Sequence, residues 1–102
     1  MNSLEVSDAQ AAAVQKTPHR VTLDSLNALV ATEQYLNPEA AAHVTVCIMT
    51  LTNGFVLIGH SAPADPGNFN AQLGRDFARN ECIRQMWPLE GYRLRSALAD
   101  AA

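Results

Sequence analysis

The chain is short of aromatic residues, of charge and of cysteine, and each shortage removes a class of protein. Aromatics make up 6% of the 102 residues, and much of the 48% hydrophobic content is alanine. One domain of this length buries roughly two-thirds of its unfolded surface. Its thin apolar volume makes a homo-oligomer the expected way to add buried area. The formal charge of −3 offers no basic surface to displace counterions from phosphates, so nucleic acid is not an expected partner. Cys47 and Cys82 stand far apart and no secretory signal precedes them, so both are expected to be buried free thiols. No apolar run reaches the ~20 residues of a membrane-spanning helix. The expected location is the cytosol, with no membrane partner.

Catalytic constellations are also missing. His19, His43 and His60 show no metal-ligand spacing such as His-x-x-x-His, and two separated cysteines make an incomplete zinc site. His60 and Ser61 are adjacent, but neighbouring strand residues point to opposite faces and cannot easily act as base and nucleophile. Gly54, Gly59 and Gly67 lack a phosphate-loop spacing. The chain is therefore read as a non-enzyme with no cofactor and no metal.

What is present is organised around Cys47 to Ala62. Two strongly apolar runs flank Asn53-Gly54, a dipeptide that tolerates the positive φ angles of a type I′ turn, and this predicts a β-hairpin. With Asn53 and Gly54 as a two-residue loop, Leu51 faces Val56, Thr50 faces Leu57 and Met49 faces Ile58. Leu51, Met49, Cys47, Val56 and Ile58 then line one face, and Val44, Val46, Ile48, Phe55 and Leu57 the other. Neither face is polar, so a helix is expected on one and a partner chain near the other, or edge-to-edge pairing across a twofold.

Helices are expected on both sides of the hairpin. Residues 1–18 read as a mobile segment with a possible short helix from Asp8 to Lys16. Thr22 reads as the N-cap of a helix from Leu23 to about Leu36, ended by Asn37-Pro38. Glu39 to Ala42 are expected to form one further helical turn. Asn68 or Asn70 caps a long helix expected to stop near Trp87, where Pro88 removes an N–H and its ring crowds the preceding turn. Tyr92 to Leu98 add a short terminal element, and residues 99–102 should fray. The fold class is α+β, with a single domain over residues 19–98.

The long helix carries the polar groups of interest. The C-terminal third, residues 71–102, holds five arginines against four acids. Asp76, Asn80 and Arg84 recur every four residues, with Arg75 and Arg79 in a parallel row. One reading is a solvated helix face with weak local ion pairs. The other uses the interleaving of these groups with Phe69, Leu73, Phe77 and Trp87: aromatic walls with arginines suit a planar or phosphorylated ligand.

Three blocks carry a resemblance: Arg20-Val21-Thr22 through Tyr35; Cys47 to Ala62 with its Leu-x-Asn-Gly-Phe core; and Asn68-Phe69 to Leu94 with Gly74-Arg75, Ala78-Arg79, Trp87-Pro88-Leu89 and Gly91-Tyr92. They resemble a family of small tailed-phage proteins, labelled by gene product forty-nine of one podovirus and gene sixty-six of another. The chain differs from that pattern in a shorter segment between Tyr35 and Cys47, and in His60 and Asn70 where acids are common. The resemblance implies a phage accessory protein in the host cytoplasm, acting by binding. The expected function is counter-defence: an oligomer that sequesters a host immune nucleotide signal through Arg75, Arg79, Asn80, Arg84, Trp87 and Tyr92. The alternative is an inhibitor that docks directly on a host enzyme or defence complex.

Overall fold

The computed structural model describes residues 2–102. Its elements are α1 (Ser3–Ala13), α2 (Leu23–Ala28), β1 (Val30–Leu36), a 3-10 turn at Glu39–Ala41, β2 (Thr45–Leu51), β3 (Val56–Ser61), a second 3-10 turn at Pro66–Asn68, and α3 (Ala71–Ala101). The three strands form one antiparallel sheet in the order β1-β2-β3. The fold is α+β, as the sequence implies, with a third strand added to the hairpin.

That third strand replaces the second half of an expected helix. Thr22 does cap a helix, through a capping box with Ser25, but the helix is only six residues long and ends at Ala28. From Val30 the chain pairs with β2. Val30, Thr32 and Tyr35 favour a pleated, half-buried surface over a helix that nothing would cover. In the sheet Tyr35 sits opposite Cys47 and Glu33 opposite Met49. The expected turn at Glu39 is present.

The hairpin forms with a different register from the one expected. Gly54 alone has positive φ, at +88°, and among the described residues no non-glycine does. The Gly54 N–H donates to the Leu51 carbonyl at 2.9 Å, while the Leu51 N–H donates to the Phe55 carbonyl at 2.8 Å. This is a three-residue loop, Thr52-Asn53-Gly54, closed by a glycine bulge rather than a type I′ turn. The Asn53 side chain steadies it by accepting from the Phe55 N–H at 2.9 Å. Thr50 therefore faces Val56 and Met49 faces Leu57. A one-residue slip exchanges the two faces of a strand. Leu57 and Gly59 thus point into the core, and Val56, Ile58 and His60 point away from it.

The core lies between the inward face of the sheet and α3. Leu26, Met49, Ile83, Met86, Cys47 and Cys82 have essentially no exposed surface. Burying a side chain of that size contributes about 1.5–3 kcal/mol. Helix and strand touch most closely at Gly59, where a Cβ would meet the Ala78 carbonyl oxygen and come within 2.8 Å of the Cys82 Sγ. A side-chain contact explains Gly74: a Cβ there would stand 2.6 Å from the hydroxyl of buried Thr45. Ala78, Cys82, Ile83 and Met86 are buried against the sheet, whereas Leu73 and Phe77 are about half exposed.

Helix α3 is capped at Asn70, whose side chain accepts from the Leu73 N–H at 2.9 Å. It does not stop at Trp87, and no separate terminal element follows. It runs unbroken through Pro88 and Gly91 to Ala101. An interior proline costs about 3 kcal/mol by removing the bond to the Arg84 carbonyl. Half-buried Trp87 and Leu94 on either side of Pro88 supply packing that offsets this cost. At 1.5 Å per residue the 31-residue helix accounts for most of the 53 Å long axis.

Helix α1 starts at Ser3 and ends at Ala13, earlier at both ends than the Asp8–Lys16 expectation. Asn2 caps it by accepting from the Glu5 N–H. Its attachments are Leu4, which is buried, Asp8, which accepts from Arg20 at 2.8 Å and from the Leu23 N–H at 3.1 Å, and Ser3, whose hydroxyl accepts from Arg84 at 2.6 Å.

Candidate functional site

The polar residues of α3 divide between its two flanks. On the flank facing β1, the Arg79 Nε donates to the Glu33 carboxylate and its Nη2 to the Asn27 side chain, both at 2.8 Å. The Tyr35 hydroxyl donates to the same Glu33 oxygen at 2.6 Å. Burial, followed by that bond to the carboxylate, pushes the Tyr35 phenol well above its usual range. Arg75 stands over the Tyr35 ring, 5.9 Å from its centroid, a cation–π distance. These groups pin α2 and β1 to α3, and the donors of Arg79 that make those bonds are already spent within the fold.

On the opposite flank the picture changes. Between α1 and the C-terminal half of α3 lies a cleft of about 690 Å³, with Ser3, Leu4 and Ser7 on one wall and Arg84, Trp87 and Gly91 on the other. Arg20 also lines it. The Arg84 Nη2 donates to the Ser3 hydroxyl at 2.6 Å, and among the described residues no carboxylate lies within ion-pair distance of Arg84. Arg20, in contrast, is held by Asp8 and by Gln15 at 2.8 Å. The bond from Arg20, then that from the Leu23 N–H, holds the Asp8 carboxyl below its ordinary value of 3.8. The cleft therefore has one arginine balanced by an acid and one left uncompensated beside the single tryptophan.

The six residues singled out from sequence do not form one group. Arg84 and Trp87 share the cleft. Asn80 lies in an adjoining groove of about 440 Å³, with His60, Phe77 and Glu81, which Arg84 also borders. Arg75 and Arg79 face β1. Tyr92 projects into solvent at 78% exposure. The cleft residues that sequence reading passed over are Arg20, Ser3 and Ser7. Their signal was the Asn2 cap, which starts a helix early enough to bring its first turn against α3.

The sheet register places His60 opposite Val46 and Ser61 opposite Thr45, so the two side chains point to opposite faces. The His60 Nδ1 lies 3.5 Å from Glu81. Among the described residues no group of three histidines, cysteines or carboxylates is gathered as a metal site, and no helix is long and apolar enough to cross a membrane. Cys47 and Cys82 are buried free thiols. Burial is the main cause that pushes the Cys82 thiol up to about 12, which leaves it a poor nucleophile near neutrality.

No curated protein and no solved structure matches the chain. A family does match, over residues 21–98. The matched span runs from the start of α2 nearly to the end of α3, and so includes Arg84, Trp87 and Gly91 but not α1. By that match, the chain belongs to the phage protein family described as N4 Gp49/phage Sf6 gene 66.

Proposed function

We propose that this phage protein is a non-enzymatic accessory protein that acts in the host cytoplasm as a homo-oligomer and sequesters a host immune nucleotide signal. The observation that carries the reading is Arg84, which among the described residues has no carboxylate within ion-pair distance, beside Trp87 in a cleft of about 690 Å³. That volume falls within the roughly 300–1,000 Å³ of small-molecule sites. A guanidinium grips a phosphate through two parallel N–H donors, and an indole face stacks on a base for ~1–3 kcal/mol. The serines of α1 add neutral donors, while the charge of Arg20 is balanced by Asp8, which leaves Arg84 as the phosphate grip. Among the residues expected from sequence, Arg84 and Trp87 belong to the binding site, while Arg75 and Arg79 serve the fold.

The test is calorimetry against a panel of linear and cyclic immune nucleotides, with mass spectrometry of any small molecule that co-purifies. Binding to one class, weakened by Arg84→Ala, supports the reading. No binding and no co-purified ligand sinks it. One observation favours the second reading, direct docking on a host protein. The outward face of the sheet carries Val46, Ile48, Val56 and Ile58, the last two at 51% and 60% exposure. A single stoichiometric host partner, with no nucleotide bound, would select that alternative.

A further inference from the structure

The two edges of the sheet are defended differently. β1 has a register irregularity between Val30 and Thr32, and Pro38, which offers no N–H, follows two residues after the strand ends at Leu36. Bulges and prolines of this kind are how proteins keep a sheet edge from pairing with another chain. β3, reading Val-Leu-Ile-Gly-His-Ser, has no lysine, no acid, no proline and no irregularity in its pairing with β2.

The backbone of β3 is also set for pairing. Phe55 faces Leu51 through a ladder bond, and in an antiparallel pair alternate residues turn toward the partner strand. Leu57, Gly59 and Ser61 thus turn toward β2, and the N–H and carbonyl groups of Val56, Ile58 and His60 turn outward. The Ile58 carbonyl, consistent with this, accepts from the Gln85 side chain at 2.9 Å. Apolar side chains lie on both sides of the edge. Val56 and Ile58 are on the outward face of the sheet, and Phe77, 53% exposed, stands on α3 next to Ser61 and Ala62.

We propose that β3 pairs antiparallel with β3 of a second copy of this chain across a twofold axis, giving a six-stranded sheet with both α3 helices on one face. A second copy fits because a strand with no formal charge meets itself without like-charge repulsion. An antiparallel strand pair is also self-complementary about a twofold. A register centred on Ile58 sets Val56 of one copy opposite His60 of the other, so the outward N–H and carbonyl groups of those two residues find partners, while the Ile58 carbonyl, already bonded to Gln85, accepts from the second copy through its other lone pair. This inference rests on the homo-oligomer part of the proposed function and is independent of the ligand.

Sedimentation equilibrium of the full chain without nucleotide tests it, using wild type, Ile58→Lys and Val56→Pro. Ile58 is exposed in the single chain, and the Val56 N–H makes no bond to β2, so neither substitution disturbs the core. The expected wild-type mass is an even multiple of the 11.0 kDa chain, and each variant halves it or more while its circular dichroism stays unchanged. A monomeric wild type, an odd-numbered oligomer, or a mass that survives both substitutions overturns the pairing. An oligomer indifferent to both changes would leave the oligomer reading standing and sink only this interface. Failure of every nucleotide to bind would leave the interface untouched.

Discussion

Helix α3 presents two flanks to the rest of the molecule, and they have been put to different uses. Toward the sheet the groups are engaged: Arg79 binds Glu33 and Asn27, Arg75 stands over the Tyr35 ring, and Gly59 lets Ala78 and Cys82 approach the strand. Toward α1 the groups are left open. Arg84 touches only a serine hydroxyl among its polar side-chain contacts, and a Cβ at Gly91 would meet nothing within 4 Å. The same residue types thus build structure on one flank and leave an uncompensated charge and empty space on the other. The clamped arginine holds elements together, and the arginine with no acid beside it keeps donors that the proposed ligand would use.

Paired substitutions can break that contrast. The largest effect on stability is expected for Gly59→Ala, which forces a methyl into the Ala78 carbonyl and the Cys82 sulfur. A loss of about 3 kcal/mol is expected from overpacking of this kind, read as a fall in the denaturant midpoint. Arg79→Ala should come next, costing about 1–3 kcal/mol as two bonds between elements are lost and Glu33 is left without its cation. Thermal melting checks it, with nucleotide affinity expected to stay at the wild-type level.

Gly91→Ala should run the other way. A helix-interior alanine is favoured over glycine by roughly 0.8–1 kcal/mol, and the structure gives no clash to cancel this. The melting temperature should rise, while the added methyl narrows the cleft and weakens ligand binding. The two glycines therefore carry opposite signs for opposite reasons.

The smallest effect concerns α1, the removable wall of the cleft. Asp8 has its pKa held below 3.8 in the folded protein, so its contribution to docking is fully present above that value. It is lost as pH falls through the lower folded value. Trp87, the single tryptophan, lines the cleft with Leu4, so acidification should shift its emission to the red before the sheet unfolds. Unchanged emission until global unfolding would show that Asp8 does not hold α1.

The same contrast marks what the sequence made legible. Local chemistry was readable: the caps at Thr22 and Asn70, the turn at Glu39, the hairpin at Asn53-Gly54 and the two buried thiols each follow from a few adjacent residues. What escaped depends on distant partners. Asn-Gly fits a two-residue loop or a three-residue loop with a bulge equally well, and only the packing of Leu57 and Gly59 against α3 selects the second. Val30 to Leu36 has enough leucine and glutamate to pass for a helix end until β2 offers it a ladder. Pro88 is a stop signal locally, overridden by the packing of Trp87 and Leu94. At the site, the regular spacing of Asp76, Asn80 and Arg84 was visible, but not which flank each would face. The cleft also needed α1, whose single buried anchor, Leu4, lies ahead of the stretch from which a helix was expected.

The most direct measurement is a pair of calorimetric titrations with whichever immune nucleotide the wild type binds, one on Arg84→Ala and one on Arg79→Ala. A charge-assisted bond to phosphate is worth about 1.5–3 kcal/mol, or roughly 10- to 150-fold in affinity. A loss of that size is expected for Arg84→Ala and none for Arg79→Ala. Equal losses in both, or a loss only in Arg79→Ala, would contradict the assignment of the cleft as the binding site.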